Sequence, residues 1–171
     1  MNIDTVLYDS RRNYRIAVSS LFFLSGLCFS SWASRIPSIQ QELGLNAAGL
    51  GTVLLSLPIG LMVSLPIAGY LVAKFGSRII VIGSAILYAS TLPFIGFAQE
   101  SWQLMVALFM FGLGGNLLNI AMNTQGVGVE AIYNRSILAS LHGIWSLAGF
   151  TGAAIGTLMI SQHISPYFHF L

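Results

Sequence analysis

Gly69-Tyr-Leu-Val-Ala-Lys-Phe-Gly-Ser-Arg-Ile-Ile-Val81 is a short break, carrying Lys74 and Arg78, between two long apolar runs. Gly69 and Gly76 offer room for close backbone approach, and the two cations mark a loop on the cytoplasmic face of a membrane, where Lys and Arg accumulate. Composition agrees with that reading. Charged residues make up 7% of the chain, against about 25% in a soluble domain. Hydrophobic residues make up 56%, and mean hydropathy is +0.81. Such a chain has too little polar surface to stay dissolved, so it is read as an all-α membrane protein.

Working outward from the break, five stretches approach the roughly 20 apolar residues that a helix needs to cross a bilayer. They are Ile16–Ala33, Leu50–Val72, Ile79–Ala98, Trp102–Gly126 and Ile137–Ser161. Backbone groups in hydrocarbon must be satisfied within the segment, which makes each of them a helix. The chain thus divides into a cytoplasmic amino-terminal segment (1–15), a five-helix bundle (16–161) and an outer loop (162–171) that opens a sixth helix at Pro166. Alternating the spans puts Arg11, Arg12, Arg15, Lys74, Arg78 and Arg135 on one side and only Arg35 on the other. This asymmetry places the amino terminus in the cytoplasm, with Trp32 and Trp102 at the outer interface. The first run follows a basic flank but is too long for a signal-peptide core, so it is read as an uncleaved helix.

Between the first two spans, Ser38 with Gln41 reads as a capping box opening a short helix, Gly44 as its stop, and Asn46 as the cap of the second span. Pro58 and Pro66 each remove a backbone donor, so the second span is expected to bend. In the fifth, Gly152-x-x-x-Gly156 forms a small-residue seam that lets a second helix come close.

The fourth span carries the chemistry. Asn116, Asn119 and Asn123 fall at i, i+3 and i+7, on one face, with Gln125 expected in solvent just beyond. Amides are not left facing lipid, so this face looks at other helices or at a watery cavity. They serve either as interhelical glue or as a substrate site, since an amide both donates and accepts and can replace water around a hydroxyl-rich solute. His142 opens the fifth span one turn before Ser146; it is either a hydrogen-bonded structural histidine or a proton relay, histidine being the side chain that titrates near neutral pH.

Other chemistries lack their residues. The single cysteine, Cys28, excludes a disulfide framework or zinc site and reads as a buried, inert thiol. No metal or other cofactor is expected. No Gly-x-Ser-x-Gly turn, His-Glu-x-x-His helix or Gly-x-x-x-x-Gly-Lys-Ser/Thr loop occurs, and no carboxylate lies within a span, so the chain is not read as an enzyme or an ATPase. The cations are spread over loops, which gives no nucleic-acid footprint.

The loop pattern Gly69-x-Leu-x-x-Lys74-x-Gly76-x-Arg78 resembles the loop between helices 2 and 3 of the major facilitator superfamily of secondary transporters. Trp32-Ala-Ser-Arg-Ile-Pro37, Leu43-Gly-Leu45, Asn119-Ile-Ala-Met-Asn-Thr-Gln125 and Leu141-His-Gly-Ile-Trp-Ser146 look like its sugar-permease branch, near the fucose permeases. The resemblance implies an amino-terminal half of that fold, moving a small polar solute such as a sugar across the bacterial inner membrane by alternating access. Gly69, Lys74, Gly76 and Arg78 would then form a gating loop, and Glu130 and Arg135 a cytoplasmic latch. Ala73 replaces the usual aspartate of the loop; Ala33 and Asn119 stand where that branch carries acids, which speaks against proton symport. The implied partners are the solute, membrane lipid and a second half absent from this chain; the alternative is a truncated, non-transporting interaction or assembly subunit.

Overall fold

The computed structural model describes residues 3–171, with side chains from Arg11 onward. Met1 and Asn2, the start of the expected segment 1–15, lie outside the described residues. The elements are α1 (Ile3–Ser34), α2 (Ile36–Glu42), α3 (Ala47–Leu54), α4 (Ser56–Phe75), α5 (Ser77–Phe97), α6 (Ser101–Tyr133), α7 (Leu138–Ser161) and α8 (Pro166–Phe170). Five spans are long and apolar enough to cross a membrane, α3 and α4 together making the second. The protein is therefore an integral, multi-pass membrane protein with five candidate transmembrane spans among the described residues, followed by the short α8.

Several boundaries move for local reasons. α1 begins at Ile3, well ahead of Ile16, so Arg11, Arg12 and Arg15 ride on helix. α2 starts two residues before Ser38 with Pro37 in its first turn; Arg35 is its cap residue without a side-chain bond, so the Ser38–Gln41 box does not form. Gly44 does end that helix, at φ 59°, and the Asn46 side chain accepts from Gly49 N at 2.8 Å as a cap should. The second span breaks at Leu55, where Pro58 has no N–H to offer the Leu54 carbonyl. Bonds from Leu55 N to Gly51 O and from Ile59 N to Leu55 O, both 3.2 Å, confine the break to one residue. α6 has 33 residues, roughly 50 Å at 1.5 Å per residue, and outruns a hydrocarbon core of about 30 Å. Its last turns project past Gly126 and carry Glu130 on helix, before Asn134 closes it in the left-handed region at φ 51°.

α6 is the axis of the bundle. It packs on α4, α5 and α1, while α1 pairs along its length with α7, and α8 starts against α5. Missing Cβ atoms set these approaches. A methyl on Gly152 would strike Ser30 Oγ, and one on Gly156 would strike Ser34 Oγ, so the expected seam is the α1–α7 contact. On the α4–α6 side, Gly60 meets the Phe109 carbonyl and Gly112 the Leu57 carbonyl. Small residues of this kind drive association where lipid offers no hydrophobic gain between helices. Phe22, Leu108, Phe111, Leu118, Met122 and Leu141 fill the space around α6.

Gly69 and Gly76 do not have the close neighbours expected of them; nothing lies within 4 Å of a Cβ built on either. Gly76 is needed for its backbone, φ 81°, which turns α4 into α5. Trp32 is no interface anchor: it is buried, its ring 5.8 Å from that of Phe111. Trp102 stays exposed. Arg35, expected on an outer loop, is 2% exposed and donates through Nη2 to the Ile164 carbonyl, fastening the end of α1 to the turn before α8.

Candidate functional site

A cavity of about 310 Å³ opens between α1, α4, α5, α6 and α7, at the low end of ligand-pocket volumes. Stacked aromatics build one wall: Tyr88 of α5 lies on Phe111 of α6 at 4.2 Å between ring centres and 18° between planes. Phe29 of α1 faces Trp145 of α7 at 6.2 Å across another. Leu57 and Leu61 of α4, with Gly112 and Gly115 of α6, widen it. Its polar groups are Ser25, Tyr88, Asn116, Asn119, His142 and the Trp145 indole. Among the described residues no carboxylate, lysine or arginine lines it.

The three amides part company. Asn116 is buried and gives Nδ2 to Ser64 Oγ at 2.6 Å and to the Leu61 carbonyl at 3.3 Å. It therefore binds α6 to α4 and shows the cavity only part of its side chain. Asn123 folds back and donates Nδ2 to Asn119 O and Oδ1, at 2.8 and 2.9 Å. It does not line the cavity. Asn119 is exposed, and its Nδ2 finds no acceptor among the described residues. Asn123 thus holds the Asn119 side-chain oxygen and leaves its Nδ2 without a partner among the described residues. Gln125, expected in solvent, donates to Ser77 Oγ at 2.6 Å and ties α6 to the start of α5.

His142 joins Asn119 at the cavity, its ring edge-on to Phe22 at 5.2 Å. Ser146 Oγ donates to the main-chain carbonyl of His142 at 3.1 Å, so the two side chains make no nucleophile–base pair. The loop residues lie apart from this cavity. Lys74 Nζ donates to Tyr70 Oη at 2.9 Å and sits 5.2 Å from the Phe75 ring centre, while Arg78 is exposed.

Glu130 and Arg135 do not pair across their loop. Glu130 Oε2 accepts from the amides of Ile137 at 2.8 Å and Leu138 at 3.1 Å, and from Ser136 Oγ at 3.3 Å. The carboxylate thus caps the start of α7 from the end of α6, and those amide donors hold its pKa below the usual glutamate range. Arg135 lies over the Tyr133 ring at 6.0 Å.

Sequence reasoning overlooked Ser25, Phe29, Tyr88, Phe111 and Trp145, all of which line the cavity. A signal for some of them existed. Ser25 and Phe29 are four apart, and His142 and Trp145 three apart, so each pair shares a helix face.

Comparison with known proteins gives this cavity a context. The family model described as Major Facilitator Superfamily matches residues 18–170. An uncharacterized MFS-type transporter of Yersinia pestis is 32% identical over 89% of this chain and 40% of its own length. An uncharacterized transporter of Sinorhizobium fredii is 31% identical over 90% of this chain and 41% of its own. A 4-hydroxybenzoate transporter of Pseudomonas putida is 28% identical over 61% of this chain and 24% of its own length. The chain spans about 40% of the length of the first two. No solved structure matches it. The helical bundle and a family match running nearly its whole length agree: the chain belongs to the major facilitator superfamily.

Proposed function

We propose that this chain forms one wall of a secondary transporter that moves a small, uncharged polar solute, a sugar being the first candidate, by alternating access. The observation that carries the reading is Asn119, whose donor is unused among the described residues and opens, beside His142, onto a cavity walled by aromatic rings and lined by none of their fixed charges. Aromatic faces suit the apolar face of a ring, and an amide suits its hydroxyls. The lack of an arginine or lysine on this wall argues against an anion such as a carboxylate being held by this half alone. The facing wall would come from a second six-helix half, as in transporters built from repeats with the site between halves. Six of the seven cations of the chain lie at the end where α1 starts, which supports a cytoplasmic amino terminus in a bacterial inner membrane. Asn119 is the solute's anchor; Asn116 and Asn123 support it. His142 is the one histidine placed to carry a proton during the cycle. Gly69, Lys74, Gly76 and Arg78 remain the candidate gating loop through their place where the second span passes into the third.

The test is uptake of radiolabelled neutral sugars by cells expressing the gene from which this chain is read. Losing one hydrogen bond to a hydroxyl corresponds to a drop of roughly threefold to tenfold in apparent affinity for Asn119→Ala at unchanged membrane level. Unaltered uptake in that variant would remove Asn119 from the site.

A further inference from the structure

A second cleft, of about 560 Å³, lies where the basic start of α1 meets the last turns of α6 and the side of α7. Its lining includes Arg12, Arg15, Ile16, Phe23, Tyr133 and Ile144. We propose that it holds an anionic glycerophospholipid of the adjacent leaflet, the phosphate on Arg12 and Arg15 and an acyl chain along Ile16, Phe23 and Ile144.

Helical geometry separates this cleft from the solute cavity. Arg12, Ile16, Ser19 and Phe23 recur at steps of three and four and form one stripe of α1. Ser25, two residues beyond Phe23, is turned roughly 200° away and faces the cavity. The cleft therefore opens on the outside of the bundle, where Ile16 is 53% and Phe23 36% exposed.

Its length matches one leaflet. Arg12 to Phe23 is eleven residues of helix, roughly 16 Å, about half of a hydrocarbon core some 30 Å thick. Charge sits at one end and apolar side chains at the other, in the order of a phospholipid's own parts. The Arg15 guanidinium lies over the Tyr133 ring at 5.6 Å. Stacking on an aromatic face fixes a guanidinium plane and leaves its edge donors for phosphate oxygens. Ser19 Oγ makes no protein hydrogen bond among the described residues, whereas Ser20 Oγ is occupied by the Ile16 carbonyl at 3.0 Å. Ser19 is thus a spare donor close to the phosphate. Basic pockets between transmembrane helices recognise anionic headgroups in this way. A free phosphate would use only the rim and leave the apolar floor unoccupied, which is why a lipid is the chosen ligand. Only the leaflet depends on the orientation proposed above; occupancy of the cleft does not depend on the transport reading.

Native mass spectrometry of the full chain, released from nanodiscs made with equal phosphatidylglycerol and phosphatidylcholine, provides the test. The expected result is retention of phosphatidylglycerol over phosphatidylcholine. Two cations near the surface correspond to a preference of roughly thirtyfold, which should vanish in Arg12→Gln/Arg15→Gln and survive in Arg78→Gln. Arg12→Lys/Arg15→Lys keeps the charge and should keep most of the preference, so a folding failure of the glutamine variant leaves the lysine variant and the lipid comparison to decide. Equal retention of the two lipids, or a preference untouched by the glutamine variant while circular dichroism shows it folded, overturns the proposal. Displacement of the lipid by millimolar glycerol phosphate would also overturn it, since the rim alone would then supply the binding.

Discussion

Asn116 and Asn119 lie one turn apart on α6 and differ in what they touch. Asn116 gives its donors to Ser64 and Leu61 of α4, whereas Asn119 gives its own to no described residue. Asn116→Ala should therefore cost stability. Interhelical bonds in membranes average about 0.6 kcal/mol and reach about 1.7, so a loss within that range is expected in a bicelle unfolding assay. Asn119→Ala should leave the same midpoint within error. Equal losses would mean that Asn119 is also glue. The spacing i, i+3, i+7 put these amides on one side of the helix, but a helix face spans 100° or more, and which member meets Ser64 depends on where α4 passes. That crossing point is not written in α6. Glu130 raises the same difficulty: an acid and a base flanking a short loop suggest an ion pair, yet the free amides at the start of α7 are the better donors. Because those amides depress its pKa, the cap is present in full above the ordinary glutamate value and is lost as pH falls below it, through the lower folded value. The protection of the Ile137 and Leu138 amides, taken as exchange relative to the intrinsic rate at each pH, should fall across that acidic window in the native protein. In Glu130→Gln that protection should already be low at neutral pH and should not change with the same acidification. No difference between the two at neutral pH would remove Glu130 as the cap.

At the scale of elements, glycines are sorted by what surrounds them. A methyl at Gly112 would overlap the Leu57 carbonyl, backbone that cannot step aside without moving α4. Gly112→Ala should therefore destabilise by about 1–3 kcal/mol, as overpacking does. Gly69 has open space and ordinary helical backbone inside α4, so Gly69→Ala should be neutral or gain up to about 1 kcal/mol from helix propensity. A thermal melt of the pair in one detergent separates them, and a costly Gly69→Ala would show a contact made with something outside this chain. The five spans were legible from length and hydropathy, because bilayer thickness and backbone satisfaction leave few alternatives. The break in the second span could be read from Pro58 and the cap from Asn46, since both act through a missing or supplied hydrogen bond within a few residues. What stayed illegible were features made by two elements at once: the burial of Trp32 against Phe111, the tie from Arg35 to Ile164, and the aromatic walls of the cavity. The projecting end of α6 escaped for the opposite reason. The expected span stops at Gly126, ahead of Glu130, whereas the helix runs on through Val127, Val129, Ala131 and Ile132 to Tyr133 with its backbone bonds needing no lipid.

For the whole molecule, the distribution of burial and charge gives a direction. α6 is buried on most sides, while α4 and α7 expose Met62, Leu65, Leu147 and Phe150, so the perimeter is apolar and is covered by lipid or by another bundle. Such a perimeter fixes the depth of the protein in a bilayer and says nothing about which way up it sits. Orientation comes from the ends, one carrying Arg11, Arg12, Arg15, Lys74, Arg78 and Arg135, the other only Arg35, which is buried and contributes little to the surface. Burial of Arg35 sharpens the asymmetry that the positive-inside rule reads. Two exposed positions report it: Asn13 on the basic end of α1 and Gln99 in the turn between α5 and α6. Cys28, at 5% exposure within the bundle, gives a silent background without mutation. In intact cells a membrane-impermeant maleimide should label Gln99→Cys and spare Asn13→Cys, and in inverted vesicles the pattern should exchange. Labelling of Asn13→Cys from outside intact cells would turn the molecule over. The phospholipid cleft would then belong to the other leaflet and the cavity would keep its residues, because both are built from contacts within the bundle, whereas sidedness is set by charge against the membrane.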